Sequence, residues 1–153
     1  MTFRRMFRPR DTKVYKSRGS RAGGYCDSGI WMTTVLIVED QPQTLALAQS
    51  LLEEEGYKTV SAATADSALD VLAGAEAVDI LLVDIILSGD MQAGIELAKH
   101  AVEMNLGLKV IYSTALTLTD CTKKLLLPGS IILEKPYTVD ELLTSLSEPR
   151  VRN

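Results

Sequence analysis

Apolar residues in this chain come in short runs without polar alternation: VLIV at 35–38, ILLV at 80–83, VIYS at 110–113 and IILE at 131–134. Such runs have both faces buried, which is the mark of parallel strands covered by helices on either side. Between them the period changes to that of a helix. Leu45, Ala48, Leu51 and Leu52 share one face of a segment that Pro42 opens and Gly56 stops, so a helix is predicted over 42–55. A less apolar strand, KTVSA, occupies 58–62, and a short helix runs from a Thr64 cap through Leu69 and Leu72 to Gly74. The strand at 80–83 leads through a loop to a helix at 94–104 that turns Ile95, Ala98, Ala101 and Val102 inward. A strand at 109–113, a weak helix around 119–126 ended by Pro128-Gly129 and a strand at 130–134 follow. The last helix opens at Thr138, whose T-x-x-E with Glu141 is a capping box, and buries Leu142, Leu143 and Leu146.

Strict alternation of five strands with five helices predicts an α/β, doubly wound parallel sheet of flavodoxin-like order 2-1-3-4-5. Ligands of such sheets bind beyond the carboxyl ends of the strands, at the switch point between the first and third. Four of the five strands end there on polar groups: Glu39-Asp40, Asp84, Thr114 and Lys135-Pro136. Three crowded carboxylates repel by roughly 4 kcal/mol per pair at about 4 Å and an effective dielectric near 20, so a cation must be supplied. Mg²⁺ suits carboxylates, carbonyl, water and phosphate oxygens, and Lys135 is a second positive charge. An ionised Asp84 is then an oxygen nucleophile able to form an acyl phosphate. Thr114 offers a hydroxyl to a phosphoryl oxygen.

The chain has 153 residues, 46% of them hydrophobic, enough for one domain with a proper core. Its net charge of −4 hides two dissimilar parts: residues 1–32 carry eight basic and two acidic side chains, and the other 121 residues carry 8 basic and 18 acidic. The basic segment 1–32, with Pro9 and four glycines, has neither helical nor strand periodicity and is expected to be disordered. Three readings of it stay open: a misplaced start with Met32 as the initiator, which is preferred, then an arm for a partner or nucleic acid, then a targeting peptide. The acidic part would repel a nucleic-acid duplex. Cys26 and Cys121 form no CxxC and read as reduced thiols, and no apolar stretch reaches the roughly 18 residues of a membrane span. Together these point to a soluble, cytoplasmic protein.

The pieces VLIVEDQP, LLVDIIL, VIYSTA and ILEKPY, in this order and spacing, resemble the receiver (CheY-like) domain of two-component response regulators over residues 33–148, leaving 149–153 as a tail. The resemblance implies Asp84 as phosphoacceptor, Asp40 as a direct Mg²⁺ ligand, Glu39 acting on the metal through water and the Ile86 backbone carbonyl as a further ligand. It also implies Thr114 as the switch hydroxyl, Lys135 as the phosphate-binding amine and a cis peptide before Pro136. A sensor histidine kinase or histidine phosphotransfer protein would supply the phosphoryl group. Such a protein catalyses only its own phosphorylation and dephosphorylation and is not otherwise an enzyme.

The chain departs from the family pattern in three places. Ile132 stands where the family usually has an aromatic residue three before the lysine. The loop after Asp84 reads Leu87-Ser88-Gly89-Asp90 where a proline is common, and Ile86 and Leu116 are apolar at the positions two after Asp84 and two after Thr114. These last two are expected to shield an acyl phosphate from water. Only 17 residues follow Pro136, so the expectation is a stand-alone receiver that signals to an unknown protein partner through its fourth helix, fifth strand and fifth helix. Competing readings fit less well. A haloacid dehalogenase-type phosphatase needs an Asp where Ile86 stands, and a flavodoxin-like nucleotide carrier needs a Gly/Ser/Thr-rich loop where this chain has EDQPQ. His100 reads as a surface residue and Tyr137 as a packed ring.

Overall fold

The computed structural model describes residues 32–149; the expectations for residues 1–31, Cys26 included, and for 150–153 lie outside the described residues. In chain order the elements are β1 (Thr34–Val38), α1 (Pro42–Glu54), β2 (Lys58–Ala62), α2 (Ala65–Ala73), β3 (Ile80–Asp84), α3 (Met91–Met104), β4 (Lys109–Thr114), α4 (Asp120–Lys123), β5 (Ile131–Glu134) and α5 (Val139–Ser147). The five strands pair in parallel in the order β2-β1-β3-β4-β5, as expected. β1 is buried along its whole length, whereas β2 is an edge with exposed Lys58 and Ser61, which is why its sequence is the least apolar of the five.

Because successive strand residues point to opposite faces, the apolar runs divide into two layers. Leu36, Leu81, Val83, Val110 and Tyr112 pack with Ala68 of α2 and with Ile95, Ala98 and Ala101 of α3. Val35, Ile37, Ile80, Leu82 and Ile111 pack with Ala48 and Leu52 of α1 and with Leu142 and Leu146 of α5. The alternation carries past the apolar residues. Glu39 follows Val35 and Ile37, Asp84 follows Ile80 and Leu82, and Ser113 follows Ile111, so these three polar side chains continue the α1/α5 face at the carboxyl edge of the sheet. The register sets Val38 beside Val83 and Asp84 beside Ser113.

Two helices differ from expectation. α3 begins at Met91, three residues before the predicted start, because the Asp90 carboxylate accepts the Gln92 N–H and caps the helix there. Gly94, a poor helix former, therefore lies inside the helix, and Leu97 joins the buried face. α4 is one turn, Asp120–Lys123, rather than a helix over 119–126. Pro128 disfavours helical backbone at the residue before it, and of residues 119–126 only Leu126 is buried, too little to propagate a helix. The Lys135-Pro136 peptide is cis, His100 is exposed, Tyr137 packs against the α1/α5 layer, and Cys121 is a free, exposed thiol. No described helix is long and apolar enough to cross a membrane.

Lys109 ties the start of β4 to the end of α5, its Nζ donating to the backbone oxygens of Leu146 at 2.7 Å and Glu148 at 2.5 Å. Carbonyls at the end of a helix have no partner within the helix itself. Burial pulls the Lys109 amine down to about 8, with Glu148 pulling the other way. Between about pH 8 and the unfolded value of 10.5, the unfolded chain holds a proton that the folded one has released. The contribution of this group to stability is thus full above 10.5 and lost as pH falls through about 8. Urea unfolding of the parent and of Lys109→Met should show the parent gaining on the variant as pH rises through that window; a difference independent of pH would contradict it.

Candidate functional site

At the carboxyl edge of the sheet the ends of β1, β3 and β5 converge. Glu39, 5% exposed, stands one residue past β1, its Oε1 accepting the Gln41 N–H at 3.1 Å and its Oε2 the Lys135 Nζ at 2.6 Å. Asp84, the last residue of β3, takes the same ammonium on Oδ2 at 2.7 Å and the Ile86 N–H on Oδ1 at 3.0 Å. Asp40 is half-buried, and its Oδ2 accepts the Ser88 N–H at 2.9 Å. One carboxylate oxygen from each of Glu39, Asp40 and Asp84 lies within 4.8 Å of the other two.

Among the described residues one ammonium, that of Lys135, pairs with two of the three acids, and the protonation equilibria record the imbalance. Burial pushes the Glu39 carboxyl above the ordinary carboxylate value; the Lys135 and Gln41 hydrogen bonds do not offset it, and the Asp84 charge adds to it. Burial pulls the Lys135 ammonium down, but its hydrogen bonds to Asp84 and Glu39 more than reverse this, so it holds its proton beyond the ordinary lysine range. Tyr137, which borders the cluster, is raised chiefly by burial. A hard divalent cation fits such a donor set, which consists of oxygen ligands with surplus negative charge.

Sequence reasoning singled out four of these groups, and the fold brings Glu39, Asp40, Asp84 and Lys135 together. Thr114 sits apart from them in its bonding: it is 1% exposed, its Oγ1 accepts the Leu116 N–H at 3.0 Å, and its carbonyl accepts the Lys135 N–H at 2.7 Å. Its hydroxyl proton has no acceptor among the described residues. Ile86 is half-buried beside Asp84, and its amide is what the structure sets on the carboxylate.

Sequence reasoning missed the parts that hold this cluster in place. In the loop after β3, Leu87 and Asp90 exchange backbone hydrogen bonds of 3.1 and 3.0 Å across Ser88 and Gly89, whose φ values are 53° and 79°. Two central residues with positive φ make a turn of the I′ type. This tight turn stands where the family commonly has a proline, and it delivers the Ser88 amide to Asp40. Its signal was present in the Ser-Gly-Asp sequence, but its partner lies 48 residues away. α3 approaches equally closely, with Gly94 donating its N–H to the Ile85 carbonyl at 3.2 Å.

A parallel sheet of order 2-1-3-4-5 with an acid cluster and a lysine at its switch point defines a class of cation- and phosphoryl-binding α/β domains. The family model described as the response regulator receiver domain matches residues 35–147, and the chain belongs to that family. Among similar proteins, the heme response regulator HssR of Staphylococcus saprophyticus is 35% identical over 113 residues, 73% of this chain and 49% of its own length. The uncharacterized transcriptional regulatory protein YbdJ of Bacillus subtilis is 32% identical over 109 residues, 71% of this chain and 47% of its own. The chain thus spans about half the length of these relatives. Of solved structures, a receiver protein from Sinorhizobium medicae superposes with a TM-score of 0.69 at 26% identity, covering 76% of this chain and 92% of that one. TrrA of Thermotoga maritima, solved in complex with Mg²⁺-BeF, gives 0.64 at 26% identity, covering 75% and 96%. The fold is therefore CheY-like, and the chain is a response regulator receiver of a two-component system.

Proposed function

We propose that this receiver takes a phosphoryl group on Asp84 from a sensor histidine kinase or a histidine phosphotransfer protein and signals through phosphorylation-dependent binding of another protein. The observation that carries this reading is the uncompensated negative charge around Asp84, with three carboxylates in reach of one another and a single ammonium between two of them. Mg²⁺, when bound, would neutralise that charge and the oxygens of an entering phosphoryl group. Asp40, Asp84 and the Ile86 carbonyl would hold it directly, and Glu39 through water.

In the transfer, a carboxylate oxygen of Asp84 attacks phosphorus and a P–O bond forms. The P–N bond to the donor histidine breaks, its electron pair leaving on the imidazole nitrogen, so that Asp84 carries a mixed anhydride. Lys135 follows the charge onto the phosphoryl oxygens, and Thr114, whose hydroxyl proton is uncommitted, donates to one of them. Ile86 offers no acid or base two residues after Asp84, so turnover of external substrates is not part of the reading. In this reading the downstream face is that of α4, β5 and α5, which the edge position of β5 and the exposed Leu116 and Leu125 beside α4 support. A cytoplasmic location accords with a kinase donor that uses ATP.

Intact-mass spectrometry after incubation with acetyl phosphate tests the reading. A gain of one phosphoryl group that requires Mg²⁺ is expected; no adduct, under conditions in which a control receiver reacts, would overturn it. The lifetime of the adduct is a separate prediction. Ile86 and Leu116 are apolar at the positions two after Asp84 and two after Thr114; if they shield the acyl phosphate, the Ile86→Asn, Leu116→Glu double variant should admit and orient water and lose phosphate faster by roughly one to two orders of magnitude. Decay at the parent's rate would remove that role from the pair.

A further inference from the structure

One buried hydroxyl at the site has no partner among the described residues. Ser113 is 4% exposed, pairs in register with Asp84, and its Oγ makes no hydrogen bond. Buried polar atoms are almost always paired, directly or through ordered water, so an orphan next to reacting groups calls for an explanation. The side chain lines a cavity beneath the carboxylates, on the α1/α5 face, whose wall includes Glu39, Asp84, Thr44 and Tyr137. Counted as space for the centre of a water molecule, the cavity measures about 10 Å³, close to the ~10–15 Å³ that one water needs. Its remaining wall, from Ile37, Val38, Ala48 and Leu82, is apolar.

We infer that Ser113 anchors a single buried water that donates to Asp84 and Glu39 from the sheet side, which makes Ser113 a positioning residue for the phosphoacceptor. The Ser113 hydroxyl donates to the water oxygen and the two water protons go to the two carboxylates, giving about three hydrogen bonds, the usual number for a buried water. The consequence concerns the moment of transfer. Asp84 is held by the Ile86 amide on one oxygen and Lys135 on the other, and Lys135 must leave that oxygen to meet the phosphoryl group. A water bound from below, on the side away from the incoming group, keeps the carboxylate oriented while the ammonium moves. The inference rests on Asp84 being the phosphoacceptor.

Ser113→Ala removes the anchor, and Ser113→Val removes it while filling the cavity. Because Oγ bonds to no group among the described residues, neither change breaks a hydrogen bond within the protein; the lost water is partly offset by the removal of a buried unpaired hydroxyl, and both variants should melt within a few degrees of the parent. The full-length parent and both variants would be phosphorylated with acetyl phosphate over a Mg²⁺ series, and their cation-free crystal structures determined at high resolution. The parent should show an ordered water within hydrogen-bond distance of Ser113 Oγ and Asp84. Both variants should lose it, and their maximal phosphorylation rate should fall about tenfold, the worth of one hydrogen bond to a charged group, with half-saturating Mg²⁺ unchanged. A purely structural role would lower the melting temperature instead. No water in the parent, or variants that react at the parent's rate, would overturn the inference while leaving Asp84 as acceptor. A parent that takes up no phosphoryl group would overturn the reading beneath it.

Discussion

Asp84→Asn is expected to yield a protein that folds, is more stable than the parent by about 1 kcal/mol and takes up no phosphoryl group. The chemical part follows from the loss of the anionic oxygen, since an amide oxygen does not displace a leaving group from phosphorus under these conditions. The stability part is less obvious. Asp84 faces two other carboxylates within 4.8 Å and one ammonium at 2.7 Å. At an effective dielectric near 20, repulsions of roughly 4 kcal/mol per pair nearly cancel the single attraction, so the cost of desolvating the third charge decides the sign. Lys135 keeps Glu39 as a partner in the variant, and no buried charge is left alone. This is the pattern of a site that trades stability for chemistry. Intact-mass spectrometry and urea unfolding check the two halves separately. An adduct on the variant would move the phosphoacceptor elsewhere, and a loss of stability would mean that the ion pair with Lys135 outweighs the crowding.

Gly94→Ala is expected to damage both fold and site. A Cβ on Gly94 would lie 2.1 Å from the backbone oxygen of Asp84, 2.7 Å from that of Ile85 and 2.9 Å from the Ile85 Cα. No side-chain rotation relieves contacts with backbone, so α3 must move away from β3 or the end of β3 must shift. Overpacking of this kind costs about 2–4 kcal/mol, or a fall of ~8–15 °C in melting temperature for a domain of this size. The displaced atoms belong to Asp84, the proposed phosphoacceptor, and to its neighbour Ile85. A shift of about 1 Å there is enough for a loss of the order of a hundredfold in phosphorylation rate. Gly89→Ala is the control: φ there is 79°, but no atom lies within 4 Å of the added Cβ. That change should cost only about 1 kcal/mol of backbone strain and leave the chemistry nearly intact. Thermal melts followed by phosphorylation well below the melting temperature would separate the two. A Gly94→Ala variant with the parent's melting temperature and rate would show that α3 has slack at this point.

Much of this molecule was legible before folding. The strand at 58–62 has the predicted limits, and those of the other four differ by at most a residue at an end. The Thr64 and Thr138 caps also stand where local chemistry placed them, each with its reciprocal hydrogen bonds. α3 and α4 were misjudged for opposite reasons. At Gly94 a residue of poor helical propensity lies within a helix because close packing against β3 excludes a side chain. At 124–126 residues of good propensity leave the helix because too little of the segment is buried to hold it.

By itself the sequence determined the alternation of elements, the order of the sheet and the groups that close each strand. Those properties follow from local periodicity and from the rules of parallel connections, and they need no knowledge of distant contacts. Only the tertiary structure decided which groups meet and how. Lys135 reaches Glu39 across 96 positions and Asp84 across 51, while Asp40 takes the amide of a turn 48 residues away. The placement of Ser113 beneath the acids depends on the register of β3 with β4 and on the packing of α1. The physical reason is one of range: a run of apolar residues specifies its own strand, but a distance of a few ångströms between charges is set by the sum of every packing contact that joins their strands.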